Sequence, residues 1–124
     1  FTMTPFLLEP GEDMRMEDIL VENIRLHGEG QREFIRLRPV VNQYMRKQVP
    51  GFIRNVRFRN VTLEGSPGDY LVQLQGADAE HDVRGVAFEN VAILGSKLTK
   101  ESAQLRMGEH ASEVRFDEKA QPAR

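Results

Sequence analysis

The stretch Phe52-Ile53-Arg54-Asn55-Val56-Arg57-Phe58-Arg59-Asn60-Val61-Thr62-Leu63-Glu64-Gly65 decides the fold. Its apolar residues fall at Val56 and Phe58, then at Val61 and Leu63: two period-two strand signals whose inward phase changes at Asn60. That pattern describes a strand, a sharp corner and a second strand. It occurs upstream over Ile19 to Gly28, with Asn23 at the break, and downstream over Val86 to Gly95, with Asn90 at the break. A partial fourth copy is Val114-x-Phe116. Repetition at this length marks a solenoid.

The spacing supports stacking. Ile19, Val56, Val86 and Val114 are separated by 37, 30 and 28 residues, and the strand series through Leu8, Leu37, Leu74 and Met107 advances by 29, 37 and 33. Two independent strand series therefore move with nearly one period. Coils that each add one strand to each of two or three parallel sheets account for this, with one insertion at 40–51. A sandwich of short antiparallel strands has similar turn spacing, but gives no reason for Asn to recur at the same phase break. In a β-coil that break is a corner in the left-handed conformation, which Asn tolerates better than other non-glycine residues. Asn23, Asn60 and Asn90 are expected to stack as a ladder of side-chain amides.

Composition bounds the function. The 124 residues fit one domain, 40% hydrophobic, with a formal charge of -2 and a pI near 6.0 that argue against nucleic acid or an anionic membrane as main partner. The chain has no cysteine, hence neither disulfides nor thiolate metal ligands. No apolar run is long enough to span a bilayer, and the opening residues lack the basic start and hydrophobic run of a signal peptide. Because the chain opens on Phe1, it reads as a segment, a processed product or a frame starting near Met3.

Taken in order, Phe6 and Leu8 mark a short strand closed at Pro10-Gly11, and Ile19, Val21, Ile24 and Leu26 form the inward set of the first full repeat. Phe34 to Pro39 puts Ile35 and Leu37 inside and Arg36 and Arg38 outside. Residues 40–51 lack periodicity and read as a protruding loop with a helical turn. Val72 and Leu74 repeat the short-strand pattern, Asp78 to Asp82 forms a polar turn, and Leu105 and Met107 close the series. The expected architecture is all-β, a right-handed parallel β-helix of about four coils over residues 1–117, with a polar tail at 118–124.

The signature Val-x-Phe-x-Asn-Val-x-hydrophobic-x-Gly, in Val56 to Gly65 and Val86 to Gly95, resembles the right-handed parallel β-helix of the pectin-lyase-like superfamily, and within it the polygalacturonase-like branch, glycoside hydrolase family 28. The closing segment, from Phe88 through Leu105-Arg106-Met107-Gly108 to Phe116, is similar to the last coils of bacterial members. The resemblance covers roughly residues 5 to 117. It implies secreted or periplasmic proteins acting on polysaccharide, with paired aspartates, Gly-His-Gly and Arg-x-Lys at the catalytic centre. None of those motifs stands in this sequence, and Arg36-Leu37-Arg38 matches the last only loosely. The resemblance therefore implies C-terminal coils without their own catalytic centre, and no cofactor or metal is expected.

Candidate binding residues lie on one outer face. Arg36 and Arg38 fall in the same rows as Leu7 and Glu9 of the preceding coil and Gln73 and Gln75 of the next, so Glu9, Arg38 and Gln75 are expected to form a polar ladder. The loop adds Tyr44, Arg46 and Lys47. Such a strip suits a uronate carboxylate, which arginine holds bidentately; the bland reading is a solvated sheet face whose ion pairs contribute little. Tyr44 and Tyr70 are candidates for stacking on sugar rings, although the chain has no Trp. Asp78, Glu80, His81 and Asp82 form the densest titratable group, suited to acid–base chemistry or calcium, yet most simply a wet corner. The Asn series is expected to be structural.

A short solenoid exposes apolar coil faces and strand edges at its ends. At the C-terminal end the partial coil and the tail are expected to act as a cap. The N-terminal end, around Phe6, Leu8, Ile19 and Val21, has none, and its expected cover is a second copy in a homo-oligomer. The function expected from sequence is a β-helix module related to polysaccharide-processing enzymes, binding acidic glycan at most; the alternative is a self-associating structural or interaction protein.

Overall fold

The computed structural model describes residues 3–117, and the 118–124 tail with its expected capping role lies outside the described residues. Among the described residues nine strands form two sheets: β1 (Phe6–Leu8), β2 (Arg15–Glu29), β3 (Glu33–Leu37), β4 (Phe52–Ser66), β5 (Leu71–Leu74), β6 (Val83–Ile93), β7 (Ser96–Lys97), β8 (Leu105–Met107) and β9 (Ala111–Asp117), alternating except that β7 returns to the sheet of β6. The first sheet runs β1-β3-β5-β8, all parallel. The second runs β2-β4-β6, with β9 parallel to β6 and β7 antiparallel to it. Each chain pass lays one strand on each sheet. The molecule is an all-β parallel solenoid of about three turns, with four stacked rows in each sheet.

The long strands are bent ribbons, and the bend is written in backbone angles. Asn23, Asn60 and Asn90 adopt φ values of 59, 54 and 56° and lie in one column, because Ile24, Val61 and Val91 pair in register. The Asn60 Nδ2 donates to Asn23 Oδ1 at 3.1 Å, and Asn90 Nδ2 donates to Asn60 Oδ1 at 2.9 Å. The corner reverses the inward phase, so Val56 and Phe58 before it and Val61 and Leu63 after it all bury their side chains. A second column, which the periodicity did not reveal, lies five residues earlier: Asp18, Asn55, Gly85 and Glu113, with φ values of 59, 57, 75 and 53°. Here Asn55 Nδ2 donates to Asp18 Oδ1 at 2.6 Å. The left-handed conformation is costly for most side chains, and Asn and Asp offset it by local hydrogen bonding.

Between the sheets, identical faces stack coil on coil. Phe58, Phe88 and Phe116 stack at centroid spacings of 5.4 and 5.2 Å, and Phe6 meets Phe58 edge-on at 5.6 Å. The first coil carries Val21 in that row, and Phe6 from the other sheet reaches the space a ring would take. Tyr70 is fully buried rather than available to a sugar ring. Its hydroxyl donates to the Ser66 carbonyl at 2.5 Å and accepts from the Gly30 N–H at 2.8 Å, tying two coils together. That tie requires Gly28, since a Cβ there would stand 2.4 Å from the Tyr70 oxygen.

Residues 40–51 neither protrude freely nor form a helical turn. They fold back on the preceding turn through a Gly11–Pro50 bridge and bonds from the Glu12 and Asp13 N–H groups to the Val49 and Pro50 carbonyls, with Met45 packed on Gly11. The ends also differ. At the C-terminal side the chain turns back as β7 onto Ala92 and Ile93, and Leu98, buried, bonds to the Val91 carbonyl. This covers the Ala92–Ile93 part of β6, while β9 pairs with β6 alone among the described strands. At the N-terminal side, Met16, Ile19, Val21, Ile24 and Leu26 are only partly buried, and β2 pairs with β4 alone among the described strands.

The corner column makes a stability prediction. Asn60→Ala loses two amide hydrogen bonds and leaves in the left-handed region a side chain with no polar group to offset that conformation, an expected cost of about 2–4 kcal/mol in urea unfolding. Asn60→Gly keeps the backbone relaxed and should cost clearly less; equal costs would show that the corner conformation contributes nothing.

Candidate functional site

The outer face of the first sheet carries the candidate strip. Register places Leu7, Arg36, Gln73 and Arg106 in one row, as expected. The ion pairing differs from the expected ladder: Arg36, not Arg38, takes Glu9, with Nε–Oε2 at 3.4 Å. Arg36 also meets Glu33 at 3.5 Å, and Glu33 further accepts from Thr4 at 2.9 Å and from Gln73 Nε2. The reason is reach. Glu33 lies at the start of β3, three residues before Arg36 on the same strand, and its carboxylate draws the guanidinium and the amide toward it. Arg36 is therefore neutralised by two carboxylates, and its Nε is buried without an aligned hydrogen bond.

Arg38 has no ion-pair partner among the described residues. Beside it in the coil stack, Gln73, Gln75, Leu105, Arg106, Met107 and Gly108 line a shallow depression of about 350 Å³. From the loop, Tyr44 projects with 84% exposure and Arg46 is exposed, whereas Lys47 is committed to Asp13, Nζ–Oδ2 3.2 Å. Of the cations expected to recognise a uronate, Arg38 and Arg46 are the two left without a carboxylate; Arg36 and Lys47 are already paired.

The turn between β5 and β6 is more than a wet corner. His81 Nδ1 lies 2.9 Å from Asp78 Oδ1, and its Nε2 lies 3.1 Å from Asp13 Oδ1, a residue 68 positions earlier. Asp13 in turn holds Lys47, so one imidazole links the first turn, the inserted loop and the third turn. The hydrogen bond that His81 donates to the Asp78 carboxylate pulls the His81 pKa upward, reinforced by Asp13, while His81 and then Lys47 lower Asp13, and His81 lowers Asp78. Asp82 points elsewhere. It is buried and holds Arg54 at 2.7 Å and Arg84 at 3.4 Å. Asp78 and His81 thus belong to one network and Asp82 to another, Glu80 taking part only through its backbone, and among the described residues no group of three or more His, Asp or Glu is placed to hold a metal ion.

On the second sheet an ion-pair ladder was legible in no single motif. Arg59 lies between Glu22, at 3.4 Å, and Glu89, at 3.0 Å, from the coils before and after it, and Arg57 also reaches Glu89. Arg54 covers the Phe52 ring at 4.5 Å. The signal that could have revealed the ladder is opposite charge recurring at equal offsets from the corner Asn: Glu22, Arg59 and Glu89 each immediately precede it. What these arrangements do chemically is align coils.

A scan against protein-family models finds no match, and searches of curated proteins and of solved structures find none either.

The His81 bridge is pH-dependent. A raised folded pKa means that its stabilisation is complete below the ordinary imidazole value of about 6.5 and is lost as pH rises through the folded value. The lowered carboxylates act oppositely, contributing above about 4 and fading as pH falls through their folded values. Thermal unfolding should thus show the native chain most stabilised over His81→Gln in mildly acidic buffer, with the difference closing in alkaline buffer. A difference that is constant with pH would dismiss the bridge.

Proposed function

We propose that this chain is a non-catalytic β-solenoid module, related to polysaccharide-processing proteins, that acts by coil stacking through its open first coil. The observation that carries this is the outer edge of β2: a 15-residue strand with no partner on that side among the described strands. Its inward residues Ile19, Val21, Ile24 and Leu26 remain partly exposed, in contrast to the buried Val56, Phe58, Val61 and Leu63 directly beneath them. Unpaired edges and half-covered apolar rows are what a solenoid offers to another coil. The repeat that resembles polygalacturonase-like coils supports the relation.

A second reading, acidic-glycan binding on the first sheet, is favoured by one observation: Arg38 without a carboxylate partner beside the depression lined by Gln73, Gln75 and Arg106. Tyr44 and Arg46 would extend that platform, with Arg36 and Lys47 contributing less because they are already paired.

Hydrogen exchange on the chain in dilute solution tests the first reading. Amides of β2 that point away from β4 should exchange far faster than the amides of Phe52–Ser66 and Val83–Ile93. Equal protection in a chain that light scattering finds monomeric would refute an open edge. For the glycan reading, polygalacturonate should bind weakly and lose several-fold in affinity in Arg38→Ala/Arg46→Ala at low salt; absence of binding to the native chain rejects it.

A further inference from the structure

On the flank of the stack, the turns that enter β3, β5 and β8 enclose a depression of about 460 Å³ whose lining includes Arg32, Asp69, Leu71, Ala103, Gln104 and Arg106. It draws on three successive coils, whose paired strands lie about 4.8 Å apart. Elsewhere on the surface, opposite charges from neighbouring coils pair: Arg59 with Glu22 and Glu89, Arg36 with Glu9, Arg54 with Asp82. Here they do not. The side chains of Arg32 and Asp69 have no hydrogen-bond or ion-pair partner among the described residues, and Arg106 donates Nη1 to the Ala103 and Leu105 carbonyls but meets no carboxylate.

The backbone beneath these side chains is fixed. Leu71 donates to the Arg32 carbonyl at 2.8 Å, Tyr70 to the Gln31 carbonyl at 3.2 Å and Val72 to the Gln104 carbonyl at 2.9 Å. Gly68 lies directly against Gly30, where an added Cβ would stand 2.7 Å from the backbone carbon. Tyr70 completes the brace in the left-handed conformation, φ 48°, with its ring buried and its hydroxyl tied across coils. A bulky residue rarely takes that conformation, and such strain concentrates at ligand sites. Its effect here is to bury the ring while the residue before it, Asp69, stays exposed. Two cations and one carboxylate are thus held around one cleft without cancelling, and Leu71 and Ala103 supply apolar lining between them.

We propose that this cleft binds a small amphoteric ligand, an ω-amino carboxylate, with its carboxylate on Arg32 and Arg106, its ammonium on Asp69 and its methylene spacer along Leu71 and Ala103. A simple anion would leave Asp69 unpaired and be repelled by it. A simple cation would meet two guanidiniums. Only a ligand of both signs satisfies all three groups, and arginine suits the carboxylate end because its planar fork holds both oxygens. The cleft goes beyond both readings above: the acidic-glycan strip uses no carboxylate of the protein and shares only Arg106 with it.

Amide chemical shifts of the full chain provide the test. Glycine, γ-aminobutyrate and ε-aminocaproate are titrated at neutral pH and low salt, each against its parent acid (acetate, butyrate, caproate) and the matching alkylamine. At least one amino acid should shift amides of residues 32, 69–71 and 103–106, and bind about threefold to fivefold more tightly than its parent acid or amine. Asp69→Asn should abolish the preference over the acid while leaving binding of the acid equal or stronger, and Arg32→Gln should weaken amino acid and acid alike. Both positions are exposed, so a merely structural role predicts no change in this selectivity. Equal binding of amino acid and acid by the native chain reassigns the cleft to simple anions and overturns the proposal. So do an absence of binding, shifts confined to other residues, or a preference that survives Asp69→Asn.

Discussion

Every part of this structure depends on coils stacking in register, and register depends on residues that can occupy the left-handed conformation at two fixed columns. At Asn23, Asn60 and Asn90 the backbone turns a corner that would cost most side chains about 1–2 kcal/mol, and the amide of each later coil hydrogen-bonds the one before it. The corner flips the inward phase of the strand. Without it, Val56 and Phe58 could not face the same core as Val61 and Leu63. A one-residue slip between coils would break the amide ladder, misalign the Phe58–Phe88–Phe116 stack and invert every side chain at once, which is why the arrangement is cooperative.

Polar chemistry on the outside follows the same geometry. Because parallel strands place equivalent residues next to one another, a charge at a given offset from the corner meets the charges at that offset in neighbouring coils. Glu22, Arg59 and Glu89 become a ladder of alternating sign. On the first sheet the same rule brings Glu9 and Glu33 to Arg36. Exposed pairs of this kind contribute little energy individually. Their larger effect is to penalise wrong registers, where like charges would meet, and to consume the cations that an acidic ligand would otherwise find.

Much of the fold was legible because a period of about 30 residues and a recurring Asn phase break are one-dimensional facts. The inward sets, the strand series and the amide ladder required no knowledge of distance. The second corner column was hidden, since Asp18, Asn55, Gly85 and Glu113 share no residue type, only a backbone angle. The candidate strip was legible in its rows and not in its pairing: the sequence places Arg36 and Arg38 outside, but only side-chain reach decides that Glu9 and Glu33 neutralise the former. Tyr70 was a candidate for stacking on sugar rings, and what buries it, with its hydroxyl tied to Ser66 and, 40 residues away, to Gly30, is a contact between coils.

By itself, then, the sequence determined the solenoid class, the stacking period, the core faces and the Asn corners, because these arise from alternation and repetition along the chain. Only the tertiary structure decided which charges cancel, that the 40–51 insertion folds back on the first turn, and that His81 reaches Asp13. Those properties belong to residues tens of positions apart, brought together by coil stacking, and no local pattern encodes how far a side chain will reach once they meet.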